Sequence, residues 1–403
     1  MDSNSIILLL CGLVIISYLF EIFSKKTGIP SVLFLITLGI LLNKLTVFYE
    51  IPAVDFLRLI PVIGTVGLIL IVFEGSLEIE YHSDKKKILF KVLAVSIIIL
   101  AANSVIMAII FQHFTGLGFH QCFVNAIPLS VISSAIAIPS AAHLSSENRE
   151  FITMESSLSD ILGIILFNYA IINSTLTFFL TGKIIIEIIV VTIVSFIFCL
   201  ILLYLLRTIG HNIKFVLILS VMVFLYSLGK SIHVSSLIMV LMFGLLLKNI
   251  NLIKSGFINK HFNNLKYINE FNFMQQINSE GVFLVKTFFF IIFGFILTPG
   301  SLLSPVNIIT ASAILGAIYG VRIITLLIVK QSVFPGIFYA PRGLITILLY
   351  ASIPAVLQMD RINIDVLFIV ILATSTIMIL GSFWKRGAPE SGGEKCLSNS
   401  EPK

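Results

Sequence analysis

Apolar stretches long enough to span a bilayer follow one another along this chain with little between them. They fall at about 6–23, 29–47, 57–77, 88–113, 121–144, 152–180, 184–206, 213–230, 234–248, 281–298, 305–329, 334–357 and 363–384. A helix needs ~20 apolar residues to cross the hydrocarbon layer, so the pattern predicts about thirteen crossings, the second and ninth of them short. Of the 403 residues, 58% are hydrophobic and 11% charged, which excludes an ordinary soluble protein. The expected fold class is an all-α polytopic membrane protein forming a single transmembrane domain. The first run follows a Met-Asp-Ser-Asn-Ser start that has no Lys or Arg and no small-x-small cleavage site, so it is expected to stay as a helix and not to act as a signal peptide.

A formal charge of +6 would suit a nucleic-acid binder, but the basic residues sit in short clusters between apolar runs and are not interleaved with aromatics. No nucleic-acid partner is expected; the partner of such a surface is membrane lipid. Taking alternate loops, one side holds Lys25, Lys26, Lys85 to Lys87, Arg149, Arg207, Lys214, Lys248, Lys330 and Lys385, and the other little beyond Lys44, Lys183, Lys230 and Arg361. Because cytoplasmic loops retain positive charge, this places the N-terminus outside and the C-terminus in the cytoplasm of a cell-membrane protein, which requires an odd helix count. The polar interval at about 249–280 carries Lys254, Lys260 and Lys266 and is expected to be an amphipathic segment at the inner interface. Thirteen crossings divide into six, a linking seventh and six more, the count of two inverted repeats. The polar tail, 386–403, is expected to be disordered.

Ionisable residues at membrane depth each cost at least ~2.5–3.5 kcal/mol on insertion scales and so need a partner or a purpose. Asp160 lies about eight residues into "TMESSLSDILGIILFNYA", ~12 Å along a helix. Arg322 sits in "GAIYGVRIITLLI", Arg342 in "FYAPRGLITILLY" and Glu74 in "LILIVFEGSLEI". By depth, Asp160, Arg322 and Arg342 can meet around one buried site. Ser156 shares a helix face with Asp160, whereas Glu155 lies ~140° around the axis and is expected to face another partner, an arginine among the candidates. Glu74 has a plainer reading, that of snorkelling into the headgroups.

The fifth run, "NAIPLSVISSAIAIPSAAHL", carries two prolines and paired serines, and the twelfth carries "PRG". Proline breaks the helical ladder, and a break in lipid survives only where protein or a water-filled cavity satisfies the freed backbone. One interrupted helix late in each half is a pointer to a transport site. A carboxylate there binds a proton or, once ionised, a small cation helped by hydroxyl oxygens. Ser159, Ser156, Ser133 and Ser134 are the candidate oxygens; the alternative for Ser133 and Ser134 is bonding to carbonyls of their own helix. No cofactor is expected; the ions a site of this kind would carry are H⁺ and a small monovalent cation, Na⁺ or Li⁺ by the hardness of the oxygens, with K⁺ not ranked below them by the sequence. Cys11, Cys122 and Cys199 lie in apolar runs and Cys396 in the tail with no CxxC spacing, so neither a disulfide framework nor a zinc site is expected. The histidines show no metal spacing, His143 being the one candidate for a pH response. No Ser/His/Asp arrangement lies at a common depth, so an enzyme is not expected.

Over nearly its whole length the chain resembles bacterial sodium/proton exchangers of the monovalent cation:proton antiporter superfamily. "SKKTGIPSVLFLITLGILL" is similar to the family's opening segment, "LILIVFEGSLEIE" to its Phe-Glu-Gly-Gly-Leu stretch and "ESSLSDILGIILF" to its Glu-Ser-x-x-Asn-Asp or Asp-Asp helix. "TFFFIIFGFIL" resembles its Phe-rich later helix and "PRGLITILL" its Arg-Gly motif. The resemblance implies that Asp160 carries the ion and the proton, that Arg322 faces it, and that Glu155 and Arg342 stabilise the core. It also implies two crossed, unwound helices in a core of helices at about 88–180 and 305–384, sliding against a dimerisation scaffold at about 6–77 and 184–298, and hence a homodimer. Two positions depart from the family pattern. Ser159 stands where Asn or Asp is usual, and Ser133, Ser134 and Ala135 stand where Thr-Asp-Pro is frequent.

The function so expected is exchange of Na⁺ or Li⁺ for H⁺ by alternating access, both ions competing for Asp160. With one carboxylate missing at each departure, electroneutral exchange is expected. The alternatives are K⁺/H⁺ exchange or K⁺ efflux and, in another class, a transport-inactive sensor or partner subunit. The bland counterpart for Asp160 is a helix-packing salt bridge with Arg322.

Overall fold

A computed structural model describes residues 3–27, 29–49, 60–78, 86–141, 144–172, 182–208, 215–231, 236–249, 265–297, 304–359 and 363–386. All regular structure among them is helical. Along the chain run α1 (Ser3–Thr27), α2 (Ser31–Phe48), α3 (Ile60–Glu78), α4 (Lys86–Thr115), α5 (Phe119–Ser130), α6 (Ser134–Ser140), α7 (Ser146–Ile172) and α8 (Gly182–Thr208). They continue with α9 (Phe215–Ser231), α10 (Ser236–Lys248), α11 (Leu265–Ile296), α12 (Pro305–Ile328), α13 (Val333–Gly336), α14 (Leu344–Ala351) and α15 (Ile364–Arg386).

Seven helical segments among the described residues are long and apolar enough to cross a bilayer, and shorter apolar helices lie in α3, α8, α9 and α10. The two interrupted helices expected from proline are present as breaks. The crossing Phe119–Ser140 unwinds between α5 and α6, and an extended stretch separates α13 from α14. In the first, 78% of residues are buried against 11% in Ile7–Ser24 of α1, so the broken helix is interior and α1 peripheral. This follows from backbone chemistry: an intact helix tolerates lipid on its flanks, whereas unwound peptide groups must be enclosed.

The helices pack in two groups. In one, α4 lies on α5, α7 and α12, α5 and α6 lie on α7, and α12 lies on α15. In the other, α11 lies on α2 and α3, and α10 on α3, α8 and α9. Contacts between the groups run through α3 with α7 and α14, and through α10 with α7.

One expectation is corrected here. The interval at about 249–280 is not an interfacial segment throughout, because from Leu265 it is the first half of α11, a continuous helix of 32 residues. Two of its polar residues bond α3: Asn278, fully buried, donates to the Leu70 carbonyl, and Ser279, exposed, donates to Glu74. Residues 250–264, His143 and the tail beyond Arg386 lie outside the described residues.

Helix association within lipid relies on close backbone approach more than on hydrophobic burial, which favours small residues at contacts. The pair α2 and α11 meets in this way. A Cβ on Gly39 would stand 2.8 Å from the Phe295 nitrogen and 2.9 Å from Gly294 Cα, and one on Gly294 would stand 3.0 Å from Ile36 Cα. Neither neighbour is a flexible side-chain end, so any larger residue must force the helices apart. Gly294→Leu is expected to destabilise the protein by about 1–3 kcal/mol, the usual range for overpacking. Gly316→Ala, where nothing lies within 4 Å of the new methyl group, is expected to be neutral or stabilising. Thermal unfolding of the two detergent-solubilised variants against the parent checks the contrast.

Candidate functional site

The break between α5 and α6 leaves Val131, Ile132 and Ser133 outside any helix. The resulting peptide groups are satisfied one by one from neighbouring elements. The Ile132 N–H donates to the Ser159 hydroxyl at 2.9 Å, the Ser133 N–H to the Pro341 carbonyl at 2.9 Å, and the Ser134 N–H to Asp160 Oδ2 at 3.1 Å. Ser159 and Asp160 are consecutive on α7, and both are buried. They present two acceptors to two donors spaced two residues apart on extended backbone. Ser133, at the N-cap position of α6, makes no capping hydrogen bond of its own, so the carboxylate of Asp160 takes that role from α7.

The acceptor side of the same break is met by Arg342. Its Nε donates to the Leu129 carbonyl at 2.6 Å, one terminal nitrogen to the Ser130 carbonyl at 3.3 Å and the other to its neighbour Ala340 at 2.8 Å. Arg342 is fully buried. A guanidinium at the last carbonyls of α5 complements the negative end of that helix dipole, and its planar fork reaches several carbonyls at once. Thr374 of α15 accepts the Arg342 N–H at 3.0 Å and so holds the second extended stretch in place.

Two glycines permit the crossing. A Cβ on Gly343 would stand 2.7 Å from Ser133 Oγ and 3.0 Å from Ser133 Cβ, and one on Gly163, a turn beyond Asp160, would overlap the Val131 side chain.

Glu155 and Arg322 form a separate unit. The two terminal nitrogens of Arg322 donate to the two carboxylate oxygens at 2.8 and 3.0 Å, and Nε donates to the Gly336 carbonyl at 2.7 Å. Both side chains are 1% exposed. The expectation that Arg322 faces Asp160 is therefore corrected: its guanidinium is committed to Glu155, and the pair ties α7 to α12 and to the turn of α13. The helical phase that separated Glu155 from Asp160 by ~140° is what sends the two acids to different partners.

The remaining candidates divide. Ser156 is buried and donates to the carbonyls of Ile152 at 2.8 Å and Thr153 at 3.2 Å, within its own helix. Ser133 Oγ is buried with no hydrogen-bond partner and sits at the crossing. Ser134 lines a cavity of about 390 Å³, as do Glu74 of α3 and Leu344 at the start of α14. Glu74 accepts from the Ser279 hydroxyl at 2.7 Å. Sequence reasoning passed over Glu21, Ser279, Glu280 and Lys286, which face this same cavity. Lys286 was visible as the one charge inside an otherwise apolar Phe-rich run.

A sequence profile of the family described as sodium/hydrogen exchanger, transmembrane, matches residues 9–384. The chain belongs to that family. It is accordingly a multi-pass membrane transporter and not an enzyme, and its activity is cation/proton antiport. Among solved structures, that of the sodium proton antiporter MjNhaP1 from Methanocaldococcus jannaschii at pH 8 is similar with a TM-score of 0.66 and 18% identity, covering 95% of this chain and 96% of that one. An electron-microscopy structure of the same antiporter gives a TM-score of 0.68 and 17% identity, covering 98% and 100%. At such identities the likeness carries the fold alone. Comparison with curated protein sequences finds no match.

The Glu155–Arg322 pair yields a direct test. Removing one member of a buried, bidentate pair strands the other charge and costs about 3–5 kcal/mol, while replacing both by apolar residues is often tolerated. Glu155→Gln is expected to lower the unfolding temperature sharply, and the double variant Glu155→Leu/Arg322→Met to recover most of the loss, as read by thermal melts of the purified protein.

Proposed function

We propose that the protein exchanges Na⁺ or Li⁺ for H⁺ across the cell membrane by alternating access, one for one and without net charge movement, with proton and cation competing for Asp160. The observation that carries this reading is the position of Asp160. Its carboxylate bonds the backbone of Ser134, and Ser134 lines an open cavity. An ion entering that cavity arrives within one residue of the acid. The Ser133 hydroxyl, buried and without a hydrogen-bond partner, supplies a second hard oxygen, with Ser134 a third. Ser159 and Ser156 complete the oxygen set on α7, the first also orienting Ile132.

The one-for-one stoichiometry is supported by the division of the two acids on α7. Glu155 is held by both terminal nitrogens of Arg322, and an arginine stays charged, so that pair releases no proton in the cycle. Asp160 is then the exchanging acid. Arg342 and the Glu155–Arg322 pair form the supporting charges, and Glu74 approaches from the opposite wall of the cavity. In the proposed cycle the group built on α4–α7 and α12–α15 moves as a core against a scaffold built on α1–α3 and α8–α11, two scaffolds forming the homodimer. The N-terminus is outside and the C-terminus cytoplasmic, in keeping with the distribution of lysine and arginine.

Purified protein in proteoliposomes is expected to dissipate an imposed ΔpH when Na⁺ or Li⁺ is added, and Asp160→Asn to reduce that rate to background. The wild-type rate should not change when the membrane potential is clamped. A response to K⁺ alone would replace the reading by K⁺/H⁺ exchange. A correctly assembled protein inert to all three cations, or full exchange in Asp160→Asn, would overturn it.

A further inference from the structure

The cavity beside Ser134 has a second wall that takes no part in the crossing. It carries Tyr18 and Glu21 from α1, Glu74 from α3, and Ser279, Glu280 and Lys286 from α11. Tyr18 and Glu21 are three residues apart and Ser279 and Lys286 seven apart, spacings that put each pair on one helix face. The Tyr18 hydroxyl donates to Glu280 Oε2 and the Ser279 hydroxyl to Glu74 Oε1. These bonds fix two of the three carboxylates without neutralising either. Lys286 is the one basic side chain among these six residues; burial acts on it most, and the carboxylates whose charge reaches it are Glu21 and Glu74.

Three glutamates, 21, 74 and 280, stand against a single lysine, so the wall is acidic in composition. Fields inside a cleft with low-dielectric walls are focused and raise the local concentration of counter-ions. A cation in the cavity therefore has these carboxylates, on α1, α3 and α11, on one side of it and Ser134, whose N–H bonds Asp160, on the other. It does not meet them unoccupied, because the Lys286 ammonium shares the same space and is attached to the protein.

We infer that this wall is a cation-loading vestibule in which Lys286 acts as a tethered competitor for the carboxylates of Glu21 and Glu74, and so sets the apparent affinity for the transported monovalent cation. The inference rests on the exchange reading above and adds to it a residue that governs affinity without touching the exchanging acid. Removal of the ammonium leaves the carboxylates free to attract the incoming ion, lowering KM. Removal of a carboxylate has the opposite effect. Turnover, set by Asp160 and the movement of the helices, is left alone.

The test measures cation-dependent ΔpH dissipation in proteoliposomes over a range of Na⁺ and Li⁺ concentrations. Lys286→Met is expected to lower KM about five-fold at low ionic strength, the scale of one unit charge acting across a partly aqueous gap. The difference should shrink as choline chloride is added, since salt screens such fields. Lys286→Arg should restore the parent KM, and Glu21→Gln should raise KM, with kcat within two-fold throughout. Wild-type protein and Asp160→Asn are run in the same vesicles. A wild type that does not exchange sinks the exchange reading itself. A wild type that exchanges, beside Lys286→Met and Glu21→Gln with unchanged KM or with KM shifted in the same direction, overturns this inference alone. Should Lys286→Met fail to assemble, Glu21→Gln decides: a KM equal to that of the parent rejects the vestibule.

Discussion

Every unwound peptide group inside a bilayer must find a partner within the protein, and the arrangement of this molecule is organised around meeting that demand at Val131 to Ser134. An α-helix satisfies its own backbone; a broken one exposes donors on one side of the break and acceptors on the other. Here the donors go to Ser159, Pro341 and Asp160 and the acceptors at Leu129 and Ser130 to Arg342. The two breaks are mutually dependent, since Pro341 and Arg342 belong to the second and serve the first. Asp160 is consequently a structural cap and the proposed ion-binding group at once. Any ion that competes for its oxygens acts on the N-terminal end of α6, which gives binding a mechanical consequence without a separate relay.

The rest of the interior holds that crossing at fixed distance. Gly163 and Gly343 remove the side chains that would keep α7 and the 339–343 stretch away from Ser133 and Val131. The Glu155–Arg322 pair, with the Gly336 carbonyl on Arg322 Nε, fastens α7 to α12 and α13. A buried pair of this kind is a weak source of net stability, because desolvation offsets most of the Coulomb gain. Its contribution is better sought in geometry, as it fixes which face of α7 turns toward the break. Because Glu155 lies ~140° from Asp160, locking the first acid against α12 aims the second at α6.

Much of this was legible in the residues. The prolines at 128 and 139 and the "PRG" stretch marked both breaks, Asp160 stood out as an acid at membrane depth, and helical phase gave it a different direction from Glu155. Which arginine serves which acid was not legible. Depth along a helix can be counted from the sequence, but the azimuth of a neighbouring helix cannot, and Arg322 and Arg342 lie at similar depths. Arg342 has its role from carbonyls, which every residue carries and no composition reveals. The first half of α11 is hard to read for a related reason: Asn278 looks like part of a solvated surface until Leu70 is placed opposite it, while its exposed neighbours Ser279 and Glu280 bond Glu74 and Tyr18. Polarity in a membrane chain marks a protein-lined cavity as readily as it marks the interface.

The departures from the family pattern acquire a physical meaning at this point. The position before Asp160 has to supply an acceptor for the Ile132 N–H, and the Ser159 hydroxyl does so at 2.9 Å; a serine preserves the geometry that an Asn or Asp would provide while contributing no charge. Ser134 likewise offers its N–H to Asp160 regardless of its side chain. Relative to an aspartate at either position the serines lower the negative charge at the crossing, relative to an asparagine Ser159 leaves it unchanged, and in both cases the break stays intact. What the crossing lacks in charge is found across the cavity, where Glu21, Glu74 and Glu280 face it from α1, α3 and α11. Moving carboxylates from the point of exchange to the approach weakens the hold on a cation at Asp160 and strengthens its capture beforehand. On the proposed cycle that division suits a site required to release its ion at every turn, because a cation bound as tightly as three convergent carboxylates would bind it is not easily displaced by a single proton.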